Sequence, residues 1–195
     1  VLPAILRKMH LAKCLENNDL DSIRQDLNKR PIEKINGNAS DEEIINILSK
    51  YGIEINDREA VSHAEENYTE KNSVSSVANL SLWGTGKPKR EFLYVDDMAD
   101  ACVYLMENLN ANDLYSMETT HINIGIGKDI SISELTAMIS NIIGYKGQIE
   151  FNISMPDGTP RKLLDIDRLH AIGWKEQVNI EKGIIETYNW YRMNI

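Results

Sequence analysis

The side chains able to do chemistry in this 195-residue chain gather in two runs. The first is Trp83-Gly84-Thr85-Gly86-Lys87-Pro88-Lys89-Arg90-Glu91-Phe92-Leu93-Tyr94-Val95-Asp96-Asp97. It sets an aromatic plate, a glycine turn and three cations ahead of a helix. An indole offers a face on which a base can lie, and a guanidinium fork can hold two phosphate oxygens. The second run, Pro156-Asp157-Gly158-Thr159-Pro160-Arg161-Lys162-Leu163-Leu164-Asp165, is a rigid turn carrying an Asp, an Arg and a Lys. Together they suit an anionic, sugar-bearing nucleotide, and neither holds a group set up to react with it. Each residue has a plainer alternative. Trp83 could be core, Arg90 a surface ion pair with Glu91 or Asp96, and Asp157 the start of an Asx turn rather than an acceptor for sugar hydroxyls.

Other chemistries find little support. Gly125-Ile126-Gly127 and Gly84-Thr85-Gly86 are short turns, and neither completes a dinucleotide-binding fingerprint. His10, His63, His121 and His170 are scattered, with no metal-ligand spacing. No tyrosine has a lysine four residues later; Tyr68 and Lys71 miss that helical spacing by one. Cys14 and Cys102 match no metal site or disulfide framework, which fits a reducing cytoplasm. Cys102 falls on the apolar side of an expected helix and reads as a buried thiol. The net charge of −9 argues against nucleic acid or an anionic membrane as partner. No apolar stretch approaches the roughly 20 residues that span a bilayer. The first residues lack a signal-peptide pattern and an initiator Met, so the chain reads as cut from something longer.

The elements that must position these runs follow from periodicity. Pro3 with Leu2, Ile5, Leu6 and Met9 predicts an opening helix. Residues 16–72 hold fourteen Asp and Glu against seven Lys and Arg, a net of −7, and predict an acidic helical insertion over 14–79. In it, Leu20, Ile23 and Leu27 suggest one helix. Ser40-Asp41-Glu42-Glu43 is a capping box for a second, which stops at Gly52. Residues 61–76 read as polar loop. From Leu80 the pattern becomes β/α, with strands at Leu80–Trp83, Phe92–Val95, His121–Ile124 and Gln148–Asn152. Helices are expected from an Asp96 or Asp97 cap, from the Ser131-Glu134 capping box to Gly144, near 167–172, and over 180–192.

The two runs resemble the substrate side of the GDP-L-fucose synthase family of extended short-chain dehydrogenase/reductases. The resemblance continues through Val1-Leu2-Pro3-Ala4-Ile5-Leu6-Arg7-Lys8, His121-Ile122-Asn123-Ile124-Gly125, Gly144-Tyr145-Lys146-Gly147, Gly173-Trp174 and the Glu186-Thr187-Tyr188-x-Trp190-Tyr191 helix. It covers residues 1–13 and 80–195. The implied fold is α/β, the C-terminal substrate-binding part of a Rossmann-type protein carrying the acidic insertion. The implied reaction epimerises C3 and C5 of GDP-4-keto-6-deoxy-D-mannose and reduces C4 with NADPH. By matching positions, Lys8, Trp83, Arg90 and Asp157 bind the substrate, with Lys162 a further phosphate contact. Lys8 stands where many relatives have Arg, and Met155 where many have Lys.

The family's NADPH loop and its catalytic Ser, Cys, His and Tyr-x-x-x-Lys groups match nothing in this chain. The resemblance therefore implies no catalytic residue here. NADP(H) would be held mainly by an N-terminal Rossmann half, in the same or a separate chain, and the complete cytoplasmic enzyme would be a homodimer. Two alternatives stay open: a half-enzyme for another nucleotide sugar, or a non-catalytic nucleotide-sugar-binding or assembly module.

Overall fold

Helix α1 (Leu2–Glu16) is buried on more than one side, with Ile5, Leu6, Met9, Leu11, Ala12, Cys14 and Leu15 all in the core. Such a helix lies at the centre of a domain rather than on its surface. Pro3 occupies its first turn, where a missing N–H breaks no helical bond. The computed structural model describes residues 1–56 and 77–195. After α1 come α2 (Leu20–Lys29), α3 (Asp41–Lys50), β1 (Ile53–Asn56), β2 (Val77–Trp83) and β3 (Lys89–Glu91). Next are α4 (Val95–Asn108), α5 (Ala111–Ser116), β4 (Asp129–Ser131) and α6 (Ile132–Ile143). The chain closes with β5 (Ile149–Asn152), β6 (Arg161–Lys162), α7 (Asp167–Ile172) and α8 (Ile180–Met193).

The strands form two small mixed sheets, giving the α/β fold expected. In one, β2 is central, antiparallel to β1 and parallel to β5. Ala78, Leu80 and Leu82 point alternately from β2 into the core beneath α1. In the other, β3 runs antiparallel to β4 and parallel to β6. Both capping boxes are present: Ser40 with Glu43 on α3, and Ser131 with Glu134 on α6. Gly144 ends α6 in the left-handed conformation, as expected of a C-terminal glycine.

Several expectations are corrected. His121–Ile124 makes no ladder, and Phe92–Tyr94 leads from β3 into α4 without one. Neither Asp96 nor Asp97 caps α4, whose N-cap is Tyr94. Buried Asp97 instead accepts from the backbone N–H groups of Gln177 (3.2 Å) and Val178 (2.9 Å), fixing the approach to α8. The segment expected to be helical also contains β1. The expected loop over 61–76 lies outside the described residues.

Cys102 is exposed, not buried. It belongs to a stripe of Val95, Met98, Cys102, Val103 and Met106 along α4, every member open to solvent, Met106 at 75%. The helical period makes an apolar face but does not say what covers it.

One buried network ties distant parts of the chain together. The Asp26 carboxylate on α2, 0% exposed, accepts from Arg7 Nε (2.9 Å) and Nη2 (2.6 Å) on α1. It also accepts from the Tyr191 hydroxyl (2.6 Å) on α8. Burial and this bond push the Tyr191 phenol well above its ordinary pKa. Ile23, Leu27, Ile44, Leu48 and Ile53 enter the same core as α1, α6 and α8. Alongside, His10 lies 3.0 Å from the Tyr188 hydroxyl and 3.5 Å from Cys14 Sγ, and its pKa is lowered by burial.

Candidate nucleotide-binding site

Where β2 ends, the start of α1, the end of α3 and the 156–158 turn enclose a cavity of about 670 Å³. That is the size of a small-molecule site. Lys8, Trp83, Arg90 and Asp157 all line it, joined by Lys50 and Tyr51. Four of the five residues singled out from sequence therefore meet, although 149 positions separate Lys8 from Asp157. The fifth, Lys162, is exposed on β6 and is not among the residues lining the cavity.

Trp83 is the last residue of β2 and is 70% exposed, which removes the core alternative. An indole so open at a cavity mouth is available for stacking. Lys8, facing the cavity from α1, donates from Nζ to the Ser81 carbonyl (3.3 Å), and burial lowers its pKa. Arg90 forms no ion pair with Glu91 or Asp96. Its Nη1 donates to the carbonyls of Lys89 (2.6 Å) and Thr159 (2.7 Å), orienting the guanidinium. Its Nε and Nη2 edge makes no hydrogen bond among the described residues, leaving donors in a fork suited to phosphate.

Asp157 begins no Asx turn. Its Oδ1 accepts from the Thr85 N–H (2.8 Å) and its Oδ2 from the Thr85 hydroxyl (2.6 Å). The two sequence runs are thus clasped to each other, and these bonds hold the carboxyl below its usual pKa. Gly84 makes the clasp possible: its φ is +82°, and a Cβ there would lie 2.2 Å from Asp157 Oδ1. Since the pKa is depressed in the folded state, the clasp holds above the unfolded carboxyl's pKa and opens as pH falls through the lower folded value. We expect Asp157→Ala to weaken nucleotide binding about fivefold, Thr85→Ala less because its backbone N–H still reaches Oδ1, and the double variant no more than Asp157→Ala alone. Additive losses in a calorimetric double-mutant cycle would contradict the clasp.

Sequence reasoning missed Glu91. Its Oε1 accepts from the N–H groups of Ile126 (2.5 Å) and Gly127 (2.7 Å), and its Oε2 from that of Leu164 (3.0 Å). A Cβ on Gly125 would stand 2.4 Å from Oε1, so the Gly-Ile-Gly turn is shaped around this carboxylate. The first N–H groups of α6 are likewise taken: Ile132 donates to the Pro88 carbonyl (3.0 Å) and Ser133 to that of Gly86 (2.9 Å). The Gly125-Ile126-Gly127 turn and the start of α6 therefore do not fit the pyrophosphate of a dinucleotide, because their N–H groups are already taken by the protein's own acceptors. No group of three metal-ligating side chains occurs among the described residues, and no helix among them is long and apolar enough to cross a membrane.

A basic, aromatic-edged cavity at the end of a strand in an α/β frame suits an anionic ligand with a flat ring. Residues 43–125 match the NAD dependent epimerase/dehydratase family. The chain is 44% identical over 126 residues to GDP-L-fucose synthase of Escherichia coli, covering 63% of this chain and 39% of that protein. The GDP-mannoheptose C4 reductase MlghC of Campylobacter jejuni, solved with NADP bound, is 38% identical with a TM-score of 0.70. That match covers 98% of this chain and 46% of the relative. A GDP-6-OMe-4-keto-L-xylo-heptose reductase of the same organism is 36% identical with a TM-score of 0.77, covering 100% and 48% respectively. The chain spans less than half the length of each of these three proteins.

Proposed function

We propose that this chain is the substrate-binding half of an NADP-dependent GDP-sugar reductase of the GDP-L-fucose synthase kind. The observation that carries it is the convergence of Trp83, Lys8, Arg90 and the Asp157 clasp on one cavity. Trp83 takes the guanine face, while Lys8 and Arg90 neutralise the diphosphate. The clasped turns fix the sugar end of the ligand. NADPH, held by the other half of the enzyme, would supply the hydride for a 4-keto carbon. This chain's residues bind and orient the nucleotide, and the proton-donating groups come from an N-terminal dinucleotide-binding half. The exposed stripe on α4 is where we place that half, and the completed enzyme would pair as a homodimer.

On this proposal the sugar is a 4-keto-6-deoxymannose, following the relatives named GDP-L-fucose synthase. A GDP-linked 4-keto-heptose is the second candidate. It is supported by the two heptose reductases, whose matches cover 98% and 100% of this chain.

Calorimetric titration of the chain with GDP, with UDP as control, tests the assignment. We expect selective GDP binding, with Trp83→Ala and Arg90→Ala each weakening it by about tenfold or more. Equal binding of UDP would reassign the base, and unchanged affinity in both variants would remove the site.

A further inference from the structure

The cavity has a wall that neither sequence run supplies. Lys50 ends α3 and Tyr51 follows it, and both line the same cavity as Trp83, Lys8 and Arg90. Their position is fixed by backbone. The Ser81 N–H donates to the Gly52 carbonyl (2.7 Å), which seats this corner on β2 two residues before Trp83. The carbonyl of that same Ser81 accepts from Lys8. Gly52 has no alternative there, since a Cβ would stand 2.8 Å from the Ser81 oxygen at a φ of +79°.

The side chains are held as well. Glu33 Oε1 accepts from Lys50 Nζ (2.5 Å) and from the Tyr51 hydroxyl (3.3 Å). Glu33 does so from a left-handed backbone, φ +54°, which a residue with a Cβ adopts at a cost. Tyr51 is not packed into the core: it remains 40% exposed while lining the cavity.

Building on the GDP-sugar assignment, we propose that the corner between α3 and β1 completes the nucleoside-diphosphate site. Tyr51 supplies a second aromatic wall beside Trp83, and Lys50 a third cation beside Lys8 and Arg90. Glu33 is the positioning residue that holds both at the mouth.

The test titrates the full chain with GDP and with guanosine, which lacks the phosphates. Tyr51→Leu should weaken both ligands about tenfold, because base stacking is lost with either. Lys50→Ala should weaken GDP about threefold to tenfold and leave guanosine unchanged, and the GDP effect should shrink as salt rises. Tyr51→Trp keeps a ring and should bind as the unaltered chain does, which also guards against a Tyr51→Leu protein that folds poorly. Wild-type affinities in Tyr51→Leu and Lys50→Ala, with GDP binding still lost in Trp83→Ala, would overturn the corner's role and leave the nucleotide site standing. Equal losses in Tyr51→Leu and Tyr51→Trp would overturn the aromatic wall. Failure of the unaltered chain to bind GDP would overturn both.

Discussion

Asp26→Ala should lower the stability of the chain by about 3 kcal/mol and its melting temperature by about 10 °C. The carboxylate is fully buried and balances Arg7, so its removal leaves a guanidinium under the core with no counter-charge and the Tyr191 hydroxyl with no acceptor. The cost falls at the low end for a broken buried pair because the Arg7 side chain keeps 24% exposure. Tyr191→Phe, which loses one hydrogen bond and keeps the ring, should cost about 1 kcal/mol. Urea unfolding followed by circular dichroism measures both. A loss below about 1 kcal/mol in Asp26→Ala would mean that the network contributes shape and little energy. The position matters because Asp26 lies in the acidic segment while its partners lie on α1 and α8. Loosening it should also loosen the corner at Tyr51, which reaches the cavity from the same segment.

Glu91→Ala should cost about 3 kcal/mol and weaken GDP binding by about an order of magnitude. Three backbone N–H groups in two separate loops converge on this one side chain, and without it they are left without their acceptor. The binding loss follows from geometry, since Glu91 adjoins Arg90 in β3 and ties that strand to the loops at Ile126 and Leu164. Glu91→Gln keeps the shape and one carbonyl oxygen, so roughly half the effect is expected. Thermal unfolding and GDP titration on both variants separate the two consequences. A destabilised Glu91→Ala with unchanged GDP affinity would confine Glu91 to holding loops and remove its influence on the site.

What could be read in the sequence was mostly local. The capping boxes at Ser40 and Ser131 close over three residues, and the Gly144 stop needs only its own φ, so both were visible without a fold. The strand at β2 announced itself through alternating Leu80 and Leu82. The sheet of β3, β4 and β6 did not, because its members are two or three residues long and a period of two needs more. The types of the site residues were legible, yet their bonds were not. Asp157 and Thr85 are 72 positions apart, and Glu91 and Leu164 are 73 apart. Nothing in either neighbourhood names the other. Tyr51-Gly52 repeats the aromatic-glycine pattern of Trp83-Gly84, but in sequence it reads as the end of α3, which it is, and nothing local points it to the cavity. Cys102 failed for a different reason: spacing places it on an apolar face but is silent about the neighbour that face requires.

That exposed thiol turns the α4 stripe into a reporter. Burial pushes the only other thiol, Cys14, up to about 11, so at neutral pH it is both shielded and protonated. A maleimide should therefore place a single dye on the chain, at Cys102, with no engineered cysteine. Any protein that settles over α4 would then announce itself as a slowed labelling rate, and the time course would give its affinity directly.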